Sequence, residues 1–112
     1  MLLYKICKRS DWQEAERSGS YSGSEDDRRD GFIHLSSAAQ LIATAAKHFR
    51  GKDGLVIVAV DGDRIAGRVK WEPSRGGDLF PHLYAPLDPA EAAWVRDLPL
   101  GPGGEHVMPE LD

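Results

Sequence analysis

The sequence predicts an α+β fold: small sheets, mixed but mostly antiparallel, of about five strands, with about three helices. Three observations carry this. Leu55-Val56-Ile57-Val58-Ala59-Val60 is a continuous apolar, largely β-branched run, suited to a central strand buried on both faces. Ser10 with Gln13, and Ser37 with Gln40, have the spacing of capping boxes that open helices. Helices and strands interleave near the N-terminus, whereas strand-forming segments dominate later.

Taken in order, Leu2 to Cys7 reads as a first strand. The helix opened by Ser10 carries Trp12 and Ala15 and stops at Gly19, a residue suited to the left-handed C′ position. Residues 20–30, Ser20 to Asp30, are polar with a mixed charge run and are expected to form a mobile, solvated loop. Gly31 to Leu35 reads as a short second strand. The helix opened by Ser37 runs to about Phe49, with Leu41, Ala45 and Phe49 four apart on one apolar stripe. Gly51 and Gly54 bracket the turn into the central strand, and Asp61-Gly62-Asp63 turns out of it. Arg68 to Glu72 forms a strand, with Trp71 expected in the core. A glycine-rich loop follows, then a short strand from His82 to Ala85. Asp88-Pro89-Ala90-Glu91 has an N-cap Asp, Pro at N1 and Glu at N3, which predicts a third helix holding Ala93, Trp94 and Val95 and ending before Pro99. The tail from Gly101 reads as extended.

Composition narrows the function classes. A chain of 112 residues fits one domain, 1–112, and 41% hydrophobic residues argue against general disorder. A net charge of −4 gives no global attraction to nucleic acid. The longest apolar run is far too short to span a bilayer, and Met1 to Lys5 has no signal-peptide character, so no membrane association is expected. The single cysteine, Cys7, lies in an apolar strand; it allows no internal disulfide and suits the cytoplasm. Oligomeric state is not legible.

Two clusters mix chemically capable side chains with strand-forming residues. In Gly31-Phe32-Ile33-His34-Leu35-Ser36-Ser37, alternation puts Phe32 and His34 on one face. His34 then stands beside the start of the next helix, whose free N–H groups, with Ser36, Ser37 and the imidazole, make a seat for a phosphate or carboxylate. The alternative is that both serines only cap and His34 bonds a nearby carbonyl. In the stretch from Lys70 to Tyr84, Lys70 and Glu72 share a face, as do His82 and Tyr84. Glu72 is suited to orient a hydroxyl, act as a base or stabilise a developing cation. Arg75 offers a planar fork for an anion, Gly76 and Gly77 let backbone approach a ligand, and Tyr84 can stack on a ring. The alternative is a glycine-rich hairpin with a surface Glu–Arg pair. His34, His48, His82, His106 and Cys7 show no close metal-ligand spacing, so no metal site is expected. No nucleophile elbow, P-loop or Gly-x-Gly-x-x-Gly is present.

GFIHLS, a helix containing TAAKHF, the VIVAVD strand, KWEPSRGG and FPHLY together resemble a small uncharacterised bacterial family, a domain of unknown function, from Tyr4 to about Leu100. That family is in turn similar, more distantly, to the ADP-ribosyltransferase-like fold, in which two small sheets form a cleft that clamps NAD. The nearest analogy is with RNA 2′-phosphotransferases, whose His-x-Ser element His34-Leu35-Ser36 resembles. Transferases of the His-Tyr-Glu type use His on a ribose, Tyr on the nicotinamide and Glu on the ribose 2′-hydroxyl. The corresponding residue types here are His34, Tyr84 and Glu72, although Glu72 precedes Tyr84 and the first strand carries Lys5 where those enzymes often place a His.

Residues and resemblance together lead to an expected cytoplasmic domain whose cleft binds a small phosphorylated, nucleotide-like ligand, with NAD the candidate cofactor. As an enzyme it would perform ADP-ribosyl or related glycosidic transfer. Glu72, His34 and His82 would be catalytic, and Ser36, Ser37, Arg75, Gly76, Gly77 and Tyr84 would hold the cofactor. A non-catalytic binding or sensor module is the first alternative, and an RNA-end binder the second.

Overall fold

A computed structural model describes residues 1–112, the side chain of Arg75 excepted. In chain order the elements are β1 (Leu2–Lys8), α1 (Arg9–Ser18), α2 (Glu25–Asp30), β2 (Ile33–His34), α3 (Ala38–His48), β3 (Leu55–Asp61), α4 (Gly62–Ile65), β4 (Val69–Pro73), β5 (Leu79–Leu83) and β6 (Ala92–Leu98). They build two three-stranded sheets, ordered β1-β3-β6 and β2-β5-β4, and every strand pairing is antiparallel. The α+β expectation with small antiparallel sheets holds.

The apolar run of β3 takes the centre of the first sheet because only there are both of its faces covered. Val56, Val58 and Val60 point to one side, joining Leu3 and Cys7 of β1, Trp12 and Ala15 of α1, Ile33 and Leu83 from the second sheet, and Leu35 just after β2. Leu55, Ile57 and Ala59 point to the other, against Tyr4, Ile6, Leu98 and the Leu41 and Ala45 stripe of α3. The alternation of β1 therefore sends Lys5 between the sheets, on the same face as Leu3 and Cys7. The two sheets are stitched at one point: Tyr4 and Ser36 exchange backbone hydrogen bonds, both 2.9 Å. That stitch brings the middle of β1 to the end of β2.

Four expectations are corrected. The charged segment 20–30 is not all loop: Ser24 caps α2 in a capping box with Asp27, and Gly31 ends it in the left-handed conformation (φ 85°). The predicted third helix is a strand. Asp88 and Glu91 do form their capping box, but only around a single 3-10 turn, Pro89–Glu91; residues from Ala92 then alternate and pair with the open edge of β3. The side-chain cap expected from Ser10 is absent, because α1 begins directly from β1 with Lys8 at its N-cap. Trp71 is 43% exposed rather than core, since β4 is an edge strand and the apolar cluster beneath it ends at Val69 and Leu83. Among the described residues no helix is long and apolar enough to cross a membrane.

Candidate functional site

The site grows from the register of the second sheet. His34 of β2 lies opposite His82 of β5, and His82 lies opposite Lys70 of β4. Period-two alternation then gathers Phe32, His34, Phe80, His82, Tyr84 and Glu72 on one face, away from the core. Phe32 stacks on His82 with ring centroids 4.0 Å apart, and lies 4.6 Å from His34 and 5.3 Å from Tyr84. The two imidazoles are 5.7 Å apart, edge to face.

Glu72 closes one end of this face. Its Oε1 accepts from the Tyr84 hydroxyl at 2.6 Å and lies 2.8 Å from His82 Nδ1. The bonds from Tyr84 and His82 hold the Glu72 carboxyl below its ordinary range, and the same contact holds the Tyr84 phenol above its own. Glu72 is thus an ionised, half-exposed carboxylate fixed by two partners.

The other end is built around a residue that sequence reasoning placed on the surface. Asp27 of α2 is 2% exposed. One of its oxygens, Oδ2, lies 2.7 Å from Lys5 Nζ and accepts from the Ser24 N–H at 2.8 Å. The other, Oδ1, lies 2.5 Å from His34 Nδ1 and accepts from the His34 N–H at 3.1 Å. Burial alone would raise this carboxyl; the His34 bond and the Lys5 ammonium overcome it and hold it well below the usual carboxylate range. His34 Nε2 in turn faces Asp30 Oδ2 at 3.0 Å. Gly23, with φ 102°, lets the chain pass against Asp27, where a Cβ would come within 2.6 Å of the Asp27 Cβ.

Beside the Asp27–His34 end, and reaching the Glu72 end only through His82, is a cavity of about 330 Å³ lined by, among others, Lys5, Asp27, His34, Ser36, Phe80 and His82. Ser36 Oγ is 3.1 Å from Thr44 Oγ1 of α3, which also lines the cavity. Its walls carry Lys5, Arg29 and Lys52 against Asp26, Asp27 and Asp30, a balanced set.

Among the sequence-predicted residues, His34, His82 and Ser36 meet on this cavity, and Glu72 and Tyr84 join through His82. Ser37 instead starts α3: Gln40 Oε1 accepts from its N–H at 3.0 Å. Gly76 and Gly77 lie outside the lining, in the exposed turn between β4 and β5, with φ of 73° and 81°. The Arg75 side chain is outside the described residues. Lys5, Asp27, Asp30 and Thr44 were missed. Asp27 had one legible sign, the Ser24-x-x-Asp27 spacing ahead of Gly31, which is a helix start and stop. Among the described residues no group of three or more His, Cys, Asp or Glu could hold a metal ion.

Two stitched antiparallel sheets carrying a histidine pair, a fixed carboxylate and a buried Lys–Asp pair beside a polar cavity define a small α+β protein. The chain belongs to the family described as "Protein of unknown function (DUF952)", whose model matches residues 6–95. It is similar to protein CC0527 from Caulobacter crescentus. The crystal structure of that protein matches with a TM-score of 0.91 and 46% identity, covering 96% of this chain and 94% of the other. Its solution NMR structure matches with a TM-score of 0.84 and 47% identity, covering 93% and 90%. No curated protein matches the chain.

Proposed function

We propose that this cavity binds a phosphorylated, nucleotide-like small molecule of the NAD type, in an ADP-ribosyltransferase-like cleft of a single cytoplasmic domain, and that the protein transfers the ADP-ribosyl or a related glycosidic group. One observation carries the reading: residues from β1, α2, β2, α3 and β5 converge on one cavity, with an ionised Glu72 tied to its histidine wall. Ser36 and Thr44 offer hydroxyls to ligand oxygens, and Tyr84, joined to the His82 wall of the cavity through Glu72, offers a ring to a base. In the reaction the bond between the sugar C1 and the nicotinamide nitrogen breaks, and its electron pair leaves with nicotinamide. Glu72 stabilises the positive charge that develops on the sugar. A hydroxyl or water oxygen then bonds to C1 and gives up its proton.

The test is nicotinamide release from NAD by the wild type and by Glu72→Gln. Release that the substitution abolishes supports transfer. Binding of NAD without release, unchanged by Glu72→Gln, supports the second reading, a non-catalytic binding module. That reading has its own support: both His34 nitrogens and Glu72 Oε1 are already occupied by internal partners, as in a site that holds a shape. Neither binding nor release would sink both.

A further inference from the structure

We propose that the position on His34 Nε2 now filled by the Asp30 carboxylate is the seat of a ligand phosphate oxygen, and that Asp30 is a built-in competitor for it. The inference rests on the phosphorylated-ligand reading above and adds which atoms take the anion.

An imidazole ring has two nitrogens, and a neutral ring donates from only one of them. Here both face carboxylate oxygens, Asp27 Oδ1 at 2.5 Å and Asp30 Oδ2 at 3.0 Å. Two acceptors are satisfied together only by the doubly protonated, cationic ring. Phe32 and His82 contribute ring faces and edges at 4.6 and 5.7 Å, and Lys5 is spent on the far oxygen of Asp27.

Charge counting then separates the two carboxylates. Lys5, Asp27 and His34 form a set joining both sheets in which the first two are almost wholly buried. Asp27 offsets only one of the two cations, so the set leaves one positive charge at the cavity wall. Asp30 neutralises that charge from outside. It is 34% exposed, sits on the last residue of α2, and is followed by Gly31 in the left-handed conformation. It also has a second partner at the surface, Arg29 Nε at 3.2 Å, to which it can remain bonded after leaving His34. Exposed pairs of this kind are worth little, so exchanging Asp30 for a ligand anion costs little. Asp27 cannot leave in the same way: it caps α2 through Ser24 and anchors Lys5. One nitrogen of His34 is therefore held for positioning, and the other is presented to an acceptor that a phosphate oxygen can replace at the same distance.

The test is calorimetric titration with inorganic pyrophosphate at low salt and about pH 6 on wild type, Asp30→Ala and His34→Gln. Asp30→Ala is expected to bind pyrophosphate about tenfold more tightly, since one competing charge is gone, and His34→Gln more weakly than wild type. No tightening in Asp30→Ala, or no pyrophosphate binding to any form, overturns the proposal. Should His34→Gln not fold, the imidazole ¹⁵N resonances of His34 decide instead. Both nitrogens are expected to be protonated in the free protein, with Nε2 the one that shifts on adding pyrophosphate to Asp30→Ala; a singly protonated or unmoved ring overturns the idea. Pyrophosphate responding as expected while NAD is neither bound nor cleaved leaves this seat standing and the NAD reading fallen. NAD cleavage with no pyrophosphate response does the reverse.

Discussion

Replacing Asp27 by Ala tests the part of the site that composition hid. The substitution leaves the Lys5 ammonium, 6% exposed, without its carboxylate. It also strips the acceptor from the N–H groups of Ser24 and His34. Breaking a buried ion pair from one side costs about 3–5 kcal/mol, and each orphaned buried donor adds to that. With a urea slope of about 1.5 kcal/mol per molar, the unfolding midpoint should fall by about 2–3 M. The companion variant Lys5→Met with Asp27→Asn removes both charges while keeping an oxygen for one of the two backbone donors. It should recover at least about half of the loss, because a buried pair contributes little against apolar replacement even though half of one is costly. The pH dependence has a definite sign. The Asp27 carboxyl titrates lower in the folded state than its ordinary 3.8. Its stabilisation is therefore fully present above that value and is lost as pH falls from there toward the folded-state value. Urea melts followed by tryptophan fluorescence between about pH 2 and 7 read both effects. A cost for Asp27→Ala below about 1 kcal/mol, the upper end of what a surface pair contributes, or a double variant no more stable than the single one, would refute the reasoning.

Three further outcomes are expected. Gly23→Ala should destabilise by about 2 kcal/mol or more in the same urea melts, since its Cβ would meet the Asp27 Cβ at 2.6 Å from a backbone with φ 102°. Tyr84→Phe should let the Glu72 carboxyl titrate closer to its ordinary value, read from side-chain carboxyl shifts by NMR; no upward movement would remove Tyr84 as its chief stabiliser. Cys7, buried and with its thiol pushed up to about 12 chiefly by desolvation, should resist a thiol reagent at about pH 8 in the folded protein and react promptly in urea.

Much of the scaffold was legible because its signals are local and its burial is unambiguous. The Leu55–Val60 run, the best candidate for a strand covered twice, is one, and Ser37 with Gln40 opened α3 where expected. The failures have physical causes. Asp88-Pro89-Ala90-Glu91 is a sound helix start, and its cap forms, but the free edge of β3 offers the following residues a full ladder of hydrogen bonds and the strand wins. Once paired, Ala92–Leu98 alternates half-buried and exposed residues as a strand does. Asp27 was lost for another reason. A charged residue in a charged run is normally solvated, and nothing local to residues 20–30 tells that Lys5, far away in β1, points between the sheets toward it. The histidine–Glu72–Tyr84 face was readable from alternation within each strand, whereas the meeting of β2 with β5 depends on register, which the sequence leaves open.

The most direct measurement of the central idea, one ligand cavity shared by both sheets, is a titration of isotope-labelled protein with NAD followed by NMR. The ring resonances of His34 and His82 and the amides of Ser36, Thr44 and Phe80 should move together with one dissociation constant. Movement confined to the separate depression around Ile42, His106 and Met108, or no movement at all, would contradict it.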